Sequence, residues 1–396
     1  MSNRVIEASL TPIPSGYKHT EIGVIPDDWD VIQLGDCASY VGSGKTNTKS
    51  RGEYPLYGST GLIGSCELPE YSGESLLVAR VGANAGRLNY VYGEYGVSDN
   101  TILIKIKPTN NISFFKYWLI RKNLNTLVFG SGQPLITGTQ LKELSLPLPS
   151  NTEQTAIANA LSDVDALTSE LEKLIAKKQA IKTATMQQLL TGRTRLPQFA
   201  LREDGSKKGT KKSELGEIPE DWEVAPFGNT LAIRHGKNQK AVENPNGTVP
   251  IFATGGQIGW ADQYLWNKPS VLIGRKGTID KPRYSDNPFW TVDTLFYSEI
   301  KDCANPKFIF YKFCMIDWMQ YNEASGVPSL NASTIENVLT SLPLKKEQTA
   351  IATILSDMDE EIQALKQRLS KTRQIKQGMM QELLTGKTRL VQGENA

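Results

Sequence analysis

Basic, amide and aromatic side chains alternate in two stretches of the sequence, in the mixture that nucleic-acid contacts require. The first cluster consists of Lys45, Lys49, Arg51, Tyr57, Arg80, Arg87 and Asn89. The second cluster consists of Arg234, Lys237, Asn238, Gln239, Lys240, Arg275, Lys276, Lys281 and Arg283. Arginine and lysine bind phosphates or guanine edges, and asparagine and glutamine bind adenine edges. We take both clusters as candidate DNA-binding residues, with more weight on each cluster than on its members.

Three short motifs resemble parts of enzyme active sites, but each is incomplete or uninformative. Residues 42–46 read GSGKT, like the end of a phosphate-binding loop, yet Ser39 stands where that motif requires glycine. Residues 287–290 read NPFW and lack the second proline of the adenine-methyltransferase tetrapeptide. Asp280 upstream of residues 299–301 resembles the acidic and lysine set of metal-dependent nucleases, but such triplets arise by chance in a chain with this much charge. We predict no catalytic residue.

Cysteine and histidine usage argues against a metal site. The four cysteines form no CxxC pair, and the chain has only two histidines, whereas zinc sites are built from clusters of these residues. We predict neither a metal nor another cofactor.

The overall composition is that of an ordinary globular protein, long enough for two or three domains. The chain has 396 residues, of which 39% are hydrophobic and 22% charged, and a formal net charge of +2. This charge neither proves nor excludes a nucleic-acid partner. We see no signal segment and no apolar run of about 18 residues, so we expect a cytoplasmic protein.

One stretch of the chain occurs twice without a gap. Residues 153–196, which begin EQTAIA and end LLTGRTRL, return as residues 347–390, and 23 of the 44 aligned positions are identical. The spacing of apolar residues predicts a long amphipathic helix in each copy, ending at a Thr-Gly pair where glycine takes the left-handed conformation. Ser150 lies at capping-box spacing before Glu153, whereas Lys345 and Lys346 leave the second start less well defined.

A narrow apolar stripe that continues for about 35 residues, or roughly 50 Å, calls for a partner helix, and the nearest candidate is the other copy. The residues predicted to pack the helix pair are Ile157, Val164, Leu167, Leu171, Leu174 and Ile181 with Ile351, Leu355, Met358, Ile362, Leu365 and Leu369. The alternative is that each helix packs on a separate domain core.

The repeat extends beyond the helices. Residues 21–29, which end in IPDDW, return as residues 214–222, which end in IPEDW, and strand-like runs at 74–80, 101–107, 271–274 and 295–300 are followed by helical runs. We predict an α+β chain with two similar mixed α/β bodies and a pseudo-twofold internal repeat. The expected divisions are a flexible lead-in (1–16), body 1 (17–150), helix 1 (151–196), a solvated linker (197–213), body 2 (214–344), helix 2 (345–390) and a tail (391–396).

This layout closely resembles the specificity subunit of type I restriction–modification systems, from about Tyr17 to Leu390. The resemblance rests on the duplicated EQTAIA and LLTG helices and on the preceding residues 147–149 and 342–344. It implies that each body is a target-recognition domain for one half of an asymmetric, bipartite sequence in double-stranded DNA. It also implies that the helices pair antiparallel as a coiled-coil spacer and dock two methyltransferase subunits, that restriction subunits join the larger complex, and that the chain itself is not catalytic.

Two other classes of function stay open at this point. The chain is alternatively a stand-alone DNA-modifying enzyme, either a nuclease or a methyltransferase, or a coiled-coil protein that does not bind DNA. If it is a specificity subunit, a spacer of about 50 Å places the half-sites roughly one to one and a half DNA turns apart.

Overall fold

The computed structural model of the chain describes residues 13–47, 52–130 and 134–390. The chain divides into two compact units. Unit 1 comprises residues 1–172 and 368–396, and unit 2 comprises residues 173–367. The two longest helices therefore contribute one part to each unit.

The elements of unit 1 are short, apart from the long helix that closes its first segment. Its described strands are β1 (Tyr17–Thr20), β2 (Gly23–Pro26), β3 (Asp30–Gln33), β4 (Ala38–Ser43), β5 (Tyr54–Gly58), β6 (Gly61–Cys66), β7 (Tyr71–Ser72), β8 (Ser75–Ala79), β9 (Leu88–Val91), β10 (Glu94–Val97), β11 (Thr101–Ile106) and β12 (Ser145–Leu148). Its described helices are α1 (Leu34–Cys37), α2 (Ile112–Lys122), α3 (Gly138–Lys142) and the start of α4 (Asn151–Leu190).

Unit 2 repeats most of this order of elements. Its described strands are β13 (Thr210–Ser213), β14 (Gly216–Pro219), β15 (Glu223–Pro226), β16 (Leu231–His235), β17 (Val249–Ala253), β18 (Gly256–Ala261), β19 (Ser270–Gly274), β20 (Arg283–Ser285), β21 (Trp290–Thr291), β22 (Leu295–Ile300) and β23 (Leu339–Leu342). Its described helices are α5 (Pro197–Ala200), α6 (Pro306–Cys314), α7 (Ala332–Asn337) and the start of α8 (Lys345–Leu383), whose end lies in unit 1.

Each unit contains one four-stranded antiparallel sheet at its centre. The order is β4-β11-β8-β9 in unit 1 and β16-β22-β19-β20 in unit 2. All five residues of β8 and of β19 are buried, as is typical of central strands that read as continuous apolar runs. The predicted strands at 74–80, 101–107, 271–274 and 295–300 are these central strands, so the α+β prediction is confirmed.

A second sheet in each unit carries a projecting hairpin. In unit 1 the order is β6-β5-β10-β7, and in unit 2 it is β18-β17-β21. The hairpins are β5–β6 and β17–β18, and each first strand also pairs in parallel with a later strand, β10 or β21.

Both long helices enter the hydrophobic cores at their ends. In unit 1, Ile157 and Leu161 of α4 and Leu383 of α8 pack with Trp29 and the central sheet. In unit 2, Leu189 of α4 and Ile351 and Leu355 of α8 pack with Trp222 and the corresponding sheet. The two alternatives, a helix pair and helices packed on separate domain cores, are therefore both realised.

Both helices end as the Thr-Gly pairs predict. Gly192 and Gly386 have φ angles of +73° and +70°, the left-handed conformation that glycine adopts without steric cost. The helix starts differ from expectation. Ser150 accepts a hydrogen bond from the Glu153 amide at 3.3 Å, but the Glu153 carboxylate is occupied elsewhere, so the capping box is only half formed. The second helix starts at Lys345, despite its charge.

The buried stripe on the helix pair follows a heptad rhythm. On α8 the predicted residues Ile351, Leu355 and Ile362 are buried, and residues 358, 365 and 369 are half-buried. On α4 the buried or half-buried positions include 157, 161, 164, 168, 171, 175, 178 and 182. Alternating steps of three and four residues are the seam of an antiparallel coiled coil.

Three of the predicted packing residues on α4 are displaced from this seam. Leu167, Leu174 and Ile181 are 41%, 38% and 43% exposed. The seam instead uses the next residue in each case, namely Thr168, Ile175 and Lys182. The prediction was wrong at these three positions because it selected apolar residues, whereas the heptad spacing places the polar residues Thr168 and Lys182 in the seam.

The segment expected to be a solvated linker is partly structured. Residues 210–213 form β13, which pairs with β14 just as β1 pairs with β2. Arg202 donates to Glu220 at 2.6 Å, and Lys208 donates to Asp221 at 2.8 Å. Unit 2 thus repeats the N-terminal hairpin of unit 1, and two linker cations are ion-paired. No helix in the described ranges is long and apolar enough to cross a membrane.

Candidate nucleic-acid interface

The hairpin of unit 1 turns beside an edge strand of the central sheet. Gly58 pairs with Gly61 across the turn, and Gly61 has a φ of +104°. A Cβ atom at Gly61 would lie 4.0 Å from the Oδ1 atom of Asn89 on β9. The turn, the exposed Leu62 and Ile63 that follow it, and the Asn89 amide therefore share one surface.

The hairpin of unit 2 has the same arrangement with other residues. Gly256, with a φ of +134°, lies at the turn, and a Cβ atom there would be 3.6 Å from both Nη atoms of Arg283 on β20. A Cβ atom at Gly277 would lie 3.5 Å from the Thr254 hydroxyl in the turn. Arg275 and Lys276 precede Gly277 in the chain, and the Arg275 guanidinium donates to the Asp293 carbonyl at 3.3 Å.

Most of the other predicted DNA-binding residues lie in loops or at strand ends. The exposed ones among the described residues are Lys45, Arg87, Arg234, Lys237, Asn238, Lys240, Lys276 and Lys281. Tyr57, Arg80, Gln239 and Arg275 are half-buried. Lys49 and Arg51 lie outside the described residues.

Several of the predicted residues have protein partners. Arg234 on β16 donates to Glu299 at 2.7 Å, and the pKa of its guanidinium is raised by this ion pair. The Asn238 side chain accepts the backbone amide of Lys240, which makes it part of a turn. Arg80 lies 3.5 Å from the Ser43 hydroxyl. Arg234 and Asn238 are the weakest of the candidates for this reason.

The apparent enzyme motifs are used for structure. Gly44 packs on the Val97 carbonyl so closely that a Cβ atom at Gly44 would lie only 2.2 Å from the carbonyl oxygen. The hydroxyl of buried Thr46 donates to Glu70 and accepts the Val97 amide. Glu299 pairs with Arg234, and Lys301 donates to the Gly228 carbonyl at 2.6 Å. No group of metal-ligating side chains occurs within the part of the chain that the structure describes.

Sequence reasoning missed a partly buried cluster that the repeated motifs build in each unit, here called the helix clasp. In unit 1 it comprises Asp28, Trp29, Glu153 and Arg389. The Arg389 guanidinium donates to both Glu153 oxygens at 2.7 and 2.8 Å and to both Asp28 oxygens at 2.8 and 2.7 Å. The Trp29 indole donates to Glu153 at 3.0 Å. The hydrogen bond from Arg389 holds the pKa of Asp28 below its usual value.

The clasp of unit 2 comprises Asp221, Trp222, Glu347 and Arg195. Arg195 donates to Glu347 at 2.6 and 2.7 Å and to Asp221 at 2.8 and 3.2 Å, and Trp222 donates to Glu347 at 3.2 Å. Burial opposes ionisation of Asp221, but hydrogen bonds from Arg195 and Lys208 bring its pKa below the usual value. Each clasp joins the end of one long helix to the start of the other.

A second repeated contact joins the helix pair to each body. In unit 1 the Tyr117 hydroxyl donates to Asp165 at 2.8 Å, and Lys376 forms an ion pair with the same carboxylate at 2.5 Å. In unit 2 Tyr311 donates to Asp359 at 2.7 Å, and Lys182 forms the ion pair. Burial and the Asp165 carboxylate raise the pKa of Tyr117 to about 12. The identity of these residues between the two copies was the signal that would have revealed both contacts.

Comparison with known proteins agrees with this architecture. A family model described as type I restriction modification DNA specificity domain matches residues 26–183 and 219–374. The MjaVIII type I restriction enzyme specificity subunit of Methanocaldococcus jannaschii is 26% identical over 92% of this chain and 94% of its own length. A putative type I restriction enzyme specificity subunit of Haemophilus influenzae is 23% identical over 80% of this chain and 82% of its own.

A solved structure of similar fold is the type I restriction–modification S subunit from M. genitalium. It superposes with a TM-score of 0.66 at 18% identity and covers 90% of this chain and 96% of that one. The family model matches most of the chain, in two copies, so the resemblance stated above is confirmed. The chain belongs to the type I restriction–modification DNA specificity family, as a non-catalytic specificity subunit.

Proposed function

We propose that each unit of the chain reads one half of an asymmetric, bipartite target in double-stranded DNA. The observation that carries this proposal is one scaffold with two different sets of polar groups. Asn89 in unit 1 and Arg283 in unit 2 lie beside the same kind of hairpin turn, and such side chains favour different bases. The exposed lysines and arginines around them are suited to phosphate contacts, which position a protein on DNA without reading its sequence.

The two long helices are proposed to set the interval between the half-sites. With 40 and 39 residues, each is roughly 60 Å long at 1.5 Å per residue. The heptad seam and the clasps hold one helix against the other within each unit, which is what a fixed spacer needs.

Partner subunits are proposed to dock on the outer side of the helices. The apolar side chains of Leu167, Leu174, Ile181 and Ile375 are exposed there, and exposed apolar rows mark protein contacts. The occupants implied by the family are two methyltransferase subunits in the cytoplasm, with restriction subunits joining the larger complex.

Methylation mapping tests the proposed readout. A host that carries this chain with its methyltransferase partner should show methylated adenines in one bipartite motif with two unlike halves. Exchange of residues 214–344 for the corresponding segment of another family member should change one half and leave the other half unchanged.

Binding of the assembled methyltransferase complex to DNA supplies an independent measurement. The affinity should fall steeply as salt rises, because phosphate contacts release counterions. A complex that methylates without a bipartite motif, or an exchange that alters both halves at once, would contradict the proposal.

A further inference from the structure

The two units place different polar side chains at one equivalent position. In unit 1, Asn89 on edge strand β9 lies opposite Leu77 of the central sheet. In unit 2, Arg283 on edge strand β20 lies opposite Leu272. Leu77 and Leu272 occupy the same place in β8 and β19, the third residue of each strand. The two polar residues therefore stand at the same register of the same sheet edge.

Both side chains face the turn of the neighbouring hairpin, where the chain leaves room for them. Glycine occupies that turn position in each unit, and a Cβ atom added there would lie at the distances from Asn89 and Arg283 given above. At Gly61 and Gly256 the positive φ disfavours any other residue. A glycine beside a polar side chain also lets a ligand approach the backbone closely.

Neither side chain makes a hydrogen bond to another described residue. The Nε atom of Arg283 is buried without a partner, and it is one of four side-chain atoms in the described ranges with that property. Unpaired buried polar atoms are costly and call for an explanation. The Arg234 guanidinium of the same unit is, by contrast, ion-paired with Glu299.

We propose that Asn89 and Arg283 are the equivalent base-reading residues of the two units, Asn89 for adenine and Arg283 for guanine. This inference rests on the proposed function. An asparagine amide matches the N6 and N7 atoms of adenine in the major groove, and a guanidinium matches O6 and N7 of guanine. Arg87 beside Asn89 and Lys281 beside Arg283 are exposed cations for the flanking phosphates.

Methylation mapping with the complete methyltransferase complex tests the assignment. Arg283→Gln should relax or shift one guanine position toward adenine in one half-site, with roughly a 5- to 150-fold loss of discrimination there, the range expected for one bidentate base contact. Asn89→Ala should relax one adenine position in the other half-site. Each variant should leave the opposite half unchanged.

Lys281→Ala is the matched control. Loss of a phosphate contact should weaken binding to all sequences alike and reduce the salt dependence, without changing the motif. Arg283→Ala serves as a second variant if Arg283→Gln lowers the unfolding temperature. An unchanged motif with uniformly weaker binding in both Arg283 variants would overturn the assignment and make Arg283 a phosphate contact. Failure of the unmodified complex to recognise any bipartite motif would instead overturn the proposed function.

Discussion

The buried carboxylates Glu153 and Glu347 depend on one arginine each. Glu347 has only 4% of its side chain exposed, and Arg195, its main partner, has 10%. A buried charge is tolerated when it is paired and hydrogen-bonded, and removal of its partner leaves an uncompensated charge in a medium of low dielectric constant. The Arg389 side chain is 25% exposed and therefore more accessible than that of Arg195. Water can therefore partly solvate Glu153 if Arg389 is removed.

Removal of the unit 2 clasp arginine should be strongly destabilising. We expect Arg195→Ala to lower the free energy of unfolding by about 3–5 kcal/mol, the range measured for broken buried pairs, and Arg389→Ala to lower it by less. Urea unfolding measures both values. Arg373→Ala is the control, because the Arg373–Glu172 pair is exposed at both ends and should change stability by about 0.5 kcal/mol or less. Equal effects of Arg195→Ala and Arg373→Ala would show that the clasp is not a stabilising contact.

Lys312 is the second buried charge of unit 2. Its ammonium donates to the Leu190 carbonyl at 2.8 Å and to the Ser341 hydroxyl at 2.9 Å. The first bond gives the carbonyl of the last residue of α4 a hydrogen-bond donor. Burial lowers the pKa of Lys312 to about 7. The corresponding residue of unit 1 is the buried Trp118, which has no charge to desolvate.

The depressed pKa of Lys312 makes a specific contribution to pH-dependent stability. Between about pH 7 and the unfolded pKa of 10.5, the unfolded chain binds the extra proton, so this contribution to the free energy of unfolding rises with pH. We expect the free energy of unfolding of the unmodified chain minus that of Lys312→Met to increase by roughly 1–3 kcal/mol between pH 7 and pH 9. The exposed Lys346→Met variant should show no such trend. A flat difference for Lys312→Met would mean that its folded pKa is ordinary.

At the scale of elements, the seam of the helix pair includes polar positions that keep the heptad rhythm. Thr168, Lys178 and Lys182 on α4 and Thr372 and Lys376 on α8 are buried or half-buried. Lys182 and Lys376 each pair with an aspartate that also binds a tyrosine of the body. Polar seam residues with fixed partners specify the register of a helix pair at some cost in stability.

Two adjacent residues of α4 separate the seam from the outer face. Ile175 is 8% exposed, whereas Leu174 is 38% exposed. We expect Ile175→Ala to lower the free energy of unfolding by about 2–5 kcal/mol, because it leaves a cavity, and Leu174→Ala to cost less than about 1 kcal/mol in the isolated chain. Thermal or urea unfolding of the two variants measures the difference. A larger loss of stability in Leu174→Ala than in Ile175→Ala would instead support the packing stripe first predicted from the apolar residues.

At the scale of the whole molecule, each unit combines the start of one long helix with the end of the other. The end of α8 supplies core residues and the clasp arginine of unit 1, and the end of α4 does the same for unit 2. Much of the identity between the copies therefore serves contacts inside the chain rather than an external partner. The first and last parts of the described chain are coupled through Tyr17, which donates to the Gly386 carbonyl at 2.9 Å.

Shortening both helices by one heptad should shorten the recognised gap. Deletion of residues 168–174 and 367–373 removes roughly 10 Å from each helix at 1.5 Å per residue, while it preserves the heptad seam, both clasps and both Tyr–Asp–Lys contacts. We expect the two halves of the methylated motif to approach each other by about three base pairs, given about 34 Å per DNA turn. Methylation mapping is the measurement. Deletion of four residues from each helix is the control, since it shifts the seam and should destabilise the helix pair. An unchanged gap between the half-sites in the variant shortened by one heptad would rule out the spacer role.

The elements with strong local signals were predictable. The central strands are buried aliphatic runs, the long helices have caps and sustained periodicity, and the helix ends need glycine, so short-range physics decides each of them. The true seam positions on α4 could also have been predicted, because the sequence alignment of the two copies matches Thr168 with Ile362 and Ile175 with Leu369, which are seam residues of α8. The short strand at 210–213 was not predictable from its lysine-rich composition, since its order comes from pairing with β14.

From the sequence alone came the internal repeat, the two-body architecture and the family, because each depends on which residues recur and how they are spaced. Only the tertiary structure decided which recurring residues meet. Arg389 and Glu153 are 236 positions apart, and no periodicity reports a contact at that range. The same holds for Asn89 and Arg283, whose equivalence depends on strand register and on a hairpin folded against the sheet edge. Local sequence patterns determine the secondary structure of each segment. The pairing of distant charges, and which side chains remain free for a ligand, depend on how the whole chain packs.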